Sequence, residues 1–153
     1  KSPLIYIGYY KFGEIFDRHD KSEWFHTGDL GTFDNTGNII LSGRSTDVFK
    51  VSGEKVDRKS IEQCLKEIIL DAEYYVLPVK HPLIGLCPAL FIQQTDHEKI
   101  PRWKDIIQHL KKHLPSRYLP VYCYSVKTFP KLENGKLDKK ELITNHDSFT
   151  PLK

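Results

Sequence analysis

The chain has 153 residues, 39% hydrophobic and 28% charged. That is enough for one ordinary domain with a core, or a small domain plus part of another, and it argues against disorder. Its 23 basic and 20 acidic residues leave a net charge of +3, spread along the chain, which gives no electrostatic case for nucleic acid or an anionic membrane.

In chain order, residues 3–10 ("PLIYIGYY") mix apolar and aromatic side chains and read as a strand. Short apolar runs at 30–33 and 39–41, separated by Asp34-Asn35 and Thr36-Gly37-Asn38, predict a hairpin. A second hairpin is expected across 47–51 and 55–56, turning at Ser52-Gly53-Glu54. The period then changes: Ile61, Leu65, Ile68 and Ile69 follow the i, i+4, i+7, i+8 spacing of one helix face, and Asp57 is placed to cap its first turn. Residues 74–79 and 87–94 read as strands joined through His81-Pro82 and Gly85. Trp103, Ile106, Ile107, Leu110 and Leu114 form a second helical stripe, with Pro101 at its start and Pro115 closing it. Residues 121–126 make a last strand before the segment 130–142, and the tail from 147 is expected to fray.

The order helix, strand, strand, helix, strand after Asp57 predicts an α+β unit, a small mixed sheet covered on one face by two helices. Short strands and hairpins precede it, with too few apolar residues for a core of their own, so a boundary is expected near Gly43-Arg44. No apolar run approaches the roughly 18 residues that a bilayer span needs. The first ten residues make a poor signal-peptide core, so a cytoplasmic location is expected. Cys64, Cys87 and Cys123 are odd in number and widely spaced, which predicts free thiols. The seven histidines are read as showing no ligand spacing, so no metal site is expected. The chain contains no methionine and opens on Lys1, which suggests a piece of something longer.

Five stretches, in this order, resemble the C-terminal part of the adenylate-forming enzyme superfamily, which holds acyl-CoA synthetases, peptide-synthetase adenylation domains and insect luciferases. They are "GYY" at 8–10, "FHTGDLG" at 25–31, "GRSTDVFKVSGEKVDRKSIE" at 43–62, "LPSRYLP" at 114–120 and "PKLENGKLDKKEL" at 130–142. The resemblance implies a division into the end of a large adenylating domain (1–43), a hinge (44–47), a mobile C-terminal lid (48–146) and a tail (147–153). It implies that Asp29 accepts from the ribose hydroxyls of ATP, a task suited to an acceptor-only carboxylate. Arg44 would reach the nucleotide, and Thr46 falls where the family carries an Asp or Lys hinge residue, with Asp47 beside it. Lys50 and Gly53 would face the active site in the thioester-forming orientation, where a glycine lets a thiol-bearing arm pass close to the backbone. Glu62 matches a structural glutamate, and Arg58 replaces the usual proline at the first helical position, a difference expected to be cosmetic.

Lys136 matches the lysine that bridges carboxylate and nucleotide during adenylation. A compact ammonium between two anions stabilises the charge of their approach, and Asn134-Gly135 favours a positive-φ turn that presents it. The implied chemistry uses ATP with Mg2+, the Mg2+ site lying outside this chain. A carboxylic or amino acid is activated and passed to the phosphopantetheine thiol of a carrier protein or of CoA. The segments at 114–120 and 134–142 look more like amino-acid-activating domains and D-alanine–carrier-protein ligases than typical acyl-CoA synthetases. The implied partner is an upstream large adenylation domain. Because the phosphate loop and the acid pocket belong to that domain, the 153 residues alone are expected to be inactive. The alternative is a free-standing, non-catalytic lid that docks on an adenylating subunit or carrier protein; a catalytically silent relative is a third reading.

Overall fold

Alternating and periodic apolar positions set the elements in the computed structural model, which describes residues 4–16, 20, 22–94 and 100–152. The chain divides into two units, Lys1–Ser45 and Thr46–Lys153.

In the first unit, β1 (Tyr9–Lys11) and β2 (Glu14–Phe16) pair antiparallel around Phe12 and Gly13, both at positive φ. The strand expected over 3–10 is confined to this short ladder, since β2 offers partners to only three residues; Pro3 lies outside the described residues. β3 (Asp29–Phe33) and β4 (Ile39–Arg44) form the expected hairpin, running from Asp29 opposite Arg44 to Phe33 opposite Ile39, with a register shift between Leu30 and Gly31. Asp34 organises its turn: its carboxylate accepts from the N–H groups of Thr36 and Asn38 at 2.8 Å each and from the Thr36 hydroxyl. That hydroxyl, with the Asn38 groups, pulls the Asp34 carboxyl down to about 2. All of β3 and nearly all of β4 stay exposed.

The second unit opens with β5 (Val48–Val51) and β6 (Glu54–Asp57), joined by a two-residue turn with Ser52 at φ 49° and Gly53 at φ 87°. Two consecutive positive φ values match the twist of the flanking strands. The helix α1 (Arg58–Leu65) follows at once, because the Asp57 carboxylate accepts from the N–H groups of Lys59 and Ser60. β7 (Tyr74–His81) and β8 (Gly85–Gln93) are antiparallel. α2 (Trp103–His113) carries the chain across to β9 (Tyr122–Val126), which pairs parallel with β8. Pro115 stands just past the C-cap Leu114, as expected of a helix stop.

Besides β2 in the first unit, a helix and an edge strand of the second unit were absent from the sequence reading. α3 (Lys139–Thr144) starts where Asp138 accepts from the Glu141 N–H at 2.9 Å. β10 (Thr150–Pro151) pairs antiparallel with β9, so the sheet order is β10-β9-β8-β7 and the expected frayed tail instead joins an edge.

The sheet is covered on both faces, which corrects the one-face expectation. Val76, Leu90, Ile92 and Cys123 pack with Ile61 and Leu65 of α1 and Ile106 and Leu110 of α2. The alternate residues Leu77, Val79, Ala89, Phe91, Tyr124 and Val126 pack with Phe129 and Leu142 of α3. Residues 87–92 of β8 are consequently buried without a break, as a strand covered on both sides requires.

Candidate functional site

Within the first unit the structure brings Asp29 and Arg44 together. They are cross-strand neighbours at the end of the β3–β4 ladder, with Arg44 Nε 3.2 Å from Asp29 Oδ1. The local turn leaves the Asp29 carboxylate out of its own backbone bonding: the Asp29 N–H donates to Thr27 Oγ1 at 3.1 Å, and Gly28, at φ 77°, accepts from the Ser45 N–H at 2.7 Å. Both side chains reach solvent, Arg44 more than Asp29, so the pair can exchange partners at little desolvation cost.

The second unit treats the two residues expected at a hinge differently. Thr46 is exposed, whereas Asp47 is 5% exposed and accepts from Arg58 Nη2 at 2.6 Å. Arg58 Nη1 lies 3.6 Å from Glu62 Oε1, which also accepts from the Val76 N–H at 3.3 Å. Arg58 therefore ties Asp47 to α1, and Glu62 ties α1 to β7. The substitution of proline by Arg58 is not cosmetic; the signal in sequence was a basic residue eleven positions after an acidic one, across a hairpin that folds them together. Burial pushes the Glu62 carboxyl up, against the pull of Arg58.

Lys50 and Gly53 share the β5–β6 hairpin: Lys50 is exposed and stands opposite Lys55, and an added Cβ on Gly53 would meet nothing within 4 Å. Lys136 sits on a braced turn. Leu132 and Lys136 are bonded N–H to carbonyl at 2.8 Å, the Gly135 N–H donates to Leu132 at 2.8 Å, and the Asp138 N–H donates to Pro130 at 2.8 Å. Gly135 takes φ 78°, the positive value expected of it, and the Lys136 N–H donates to Asn134 Oδ1 at 3.1 Å. The Lys136 side chain is exposed at the tip.

The structure also shows a cluster that the sequence reading missed. His109 and His113 stand one turn apart on α2, and Glu67 follows α1; one potential ligand atom from each lies within 4.8 Å of the others. The i, i+4 histidine spacing was present in the sequence and is a ligand spacing, so the earlier reading of the histidines is corrected.

Comparison with known proteins places these residues in context. No family model matches the chain. The anthranilate–CoA ligase of Pseudomonas aeruginosa is 31% identical over 146 residues, 93% of this chain and 28% of that protein. The peroxisomal trans-cinnamate:CoA ligase of Petunia hybrida is 29% identical over 145 residues, 95% of this chain and 25% of that protein. The crystal structure of ATP-bound MatB from Rhodopseudomonas palustris matches in fold with a TM-score of 0.74 at 24% identity, covering 98% of this chain and 30% of that one.

In fold the chain is similar to the C-terminal part of adenylate-forming enzyme structures. Its relatives by sequence are acyl-CoA and aryl-CoA ligases, and the chain spans between a quarter and a third of the length of those just described. Among the described residues, no helix is long and apolar enough to cross a membrane.

Proposed function

We propose that the chain supplies the hinge and the C-terminal lid of an ATP-dependent ligase that activates a carboxylic acid and transfers it to a thiol. The observation that carries this is the Lys136 turn: an exposed lysine held at the tip of a loop braced by three backbone hydrogen bonds and a left-handed glycine. In the first half-reaction a carboxylate oxygen attacks the α-phosphorus of ATP and pyrophosphate leaves. The Lys136 ammonium lies between the two anions, where a positioned charge lowers the barrier by about 2–4 kcal/mol. Asp29 accepts from the ribose hydroxyls, and Arg44 turns from Asp29 to the nucleotide. In the second, the thiol sulfur attacks the acyl carbonyl and AMP leaves, with Lys50 and Gly53 beside the thiol-bearing arm.

Mg2+ accompanies the ATP phosphates, and no residue of this chain is assigned to it. The acceptor is a phosphopantetheine thiol. The names of the sequence relatives favour CoA over a carrier protein, against the lean of the 114–120 and 134–142 segments. The hinge reading is sharpened by Asp47, whose carboxylate is fixed by Arg58: the backbone rotation falls at Thr46 or before it, and Asp47 anchors the moving side.

The exposed apolar side chains of the β3–β4 hairpin support a missing partner. Phe33, Ile39, Ile40 and Leu41 are 54–75% exposed, and an isolated two-stranded hairpin is marginal in water. They pack, in this reading, on an upstream adenylating domain, and the 153 residues alone are inactive.

The test is ATP–pyrophosphate exchange by the protein carrying this chain together with its upstream domain, across a panel of aryl, fatty and amino acids. One acid drives exchange, and Lys136→Ala slows it by about 10²–10³-fold. Exchange that proceeds equally well with Lys136→Ala refutes the assignment.

A further inference from the structure

α1 ends at Leu65 and α2 at His113, and the chemistry gathered between these two helix ends is unlike that of the rest of the unit. The rings of His109 and His113 have centroids 5.1 Å apart, with planes inclined by 49°. His109 Nε2 lies 3.3 Å from Glu67 Oε2 and 3.1 Å from the carbonyl oxygen of Cys64, so its N–H donates there in the metal-free chain, and a metal taken at that nitrogen replaces the proton and the Cys64 bond. His109 is 18% exposed and held, whereas Glu67 is 62% exposed and free to adjust.

We propose that Glu67, His109 and His113 form a binding site for a divalent transition metal of the zinc class. Two imidazoles and one carboxylate are a donor set that borderline cations prefer to hard ones, and three protein ligands leave a fourth position for water. The spacing fits. Ligand atoms around a tetrahedral ion at about 2.1 Å stand roughly 3.4 Å apart, and those present lie within 4.8 Å, so small rotations of the two exposed side chains close the site.

The backbone favours a cation as well. The last turn of each helix directs its carbonyl groups, the negative end of the helix dipole, toward its C-terminus; His113 is the last residue of α2 and Glu67 lies two residues past α1, with His109 one turn further back. Lys66, Lys111 and Lys112 neighbour the site in sequence and oppose this field, which sets the expected affinity in the micromolar range rather than below it. A bound ion clamps the segment after α1 to the last turn of α2.

The test uses the 153-residue chain free of any affinity tag. Zn2+ is titrated calorimetrically, and Co2+ is followed by its visible d–d absorption. The site takes one equivalent of either ion, and saturating Zn2+ raises Tm. His113→Gln and Glu67→Gln, both at exposed side chains, keep the metal-free Tm and far-UV spectrum of the parent but weaken binding about tenfold or more. Absence of saturable binding overturns the proposal, and so does binding that both variants leave unchanged. Because the readout is binding and not activity, the result is independent of the proposed ligase function.

Discussion

Arg58→Met tests whether the buried Arg58–Asp47 pair holds the second unit together. Arg58 and Asp47 side chains are 13% and 7% exposed, with nitrogen and oxygen 2.6 Å apart. With charge centres about 4 Å apart and an effective dielectric near 20, the gross attraction is about 4 kcal/mol, much of it offset by desolvation. Removing one partner is a different matter, because it leaves the Asp47 carboxylate buried and uncompensated, at about 3–5 kcal/mol. One gain works the other way. Arg58 Nε is buried without a hydrogen-bond partner, and deleting an unsatisfied donor recovers about 1–3 kcal/mol.

The expected net loss is about 2 kcal/mol, the difference between the centres of those two ranges. Urea unfolding followed by far-UV circular dichroism then shows a midpoint lower by about 1–2 M, with the slope unchanged. The pair Asp47→Leu with Arg58→Met removes both charges together and recovers most of that loss. A loss below about 0.5 kcal/mol for Arg58→Met, or a double variant no better than the single one, would refute the reasoning.

Glu62 gives the same network a pH signature. Burial raises its folded carboxyl above the ordinary value of 4.5, so its contribution to stability is fully present below that value and is lost as pH rises through the raised one. Glu62→Gln therefore flattens the decline of the urea midpoint on the alkaline side of 4.5, and an unaltered slope would show that the group is solvated. Ser52 occupies positive φ in a turn that favours Asn-Gly, so Ser52→Asn should stabilise by about 0.5 kcal/mol in the same assay. Burial pushes the Cys123 thiol up to about 12 and raises Cys87 and Cys64 as well, but Cys64 alone is only half-buried and open to a reagent. A thiolate-specific reagent should label Cys64 alone in the native chain and all three cysteines in urea; fast native labelling of Cys123 would contradict the packing.

Local signals were readable wherever the physics is local. The Asp57 cap, the Ser52-Gly53 turn and the proline stop after α2 each depend on a few adjacent residues, and each stands where the residues implied, whereas α1 ends at Leu65, short of the Ile68 and Ile69 that its apolar period included. The Lys136 turn was legible for the same reason, since Asn134 and Gly135 determine its backbone. Contacts made across the chain were not. The Arg58–Asp47 pair needs the β5–β6 hairpin to fold back on itself, and β10 needs β9 already in place. The second covered face depends on α3, whose six residues give too short a period to read, although the Asp138 cap with Glu141 three residues on was a visible start signal. His109 and His113 were plain in spacing, but their third ligand comes from beyond another helix.

The edges of the four-stranded sheet have a consequence for how this protein meets other chains. β7 is eight residues long and, among the described residues, pairs on one side only, the kind of strand on which a second chain could grow. Pro78 stands opposite Pro88 at its middle, and the Pro88 carbonyl accepts from the Val121 N–H on the β9 side. Pro88 thus directs its backbone away from β7, and Pro78 correspondingly turns its missing N–H outward, so the ladder that a newcomer would extend is interrupted halfway. At the opposite edge β10 is only two residues long and ends in Pro151. Neither margin can template continued pairing, which guards the unit against edge-to-edge association with copies of itself.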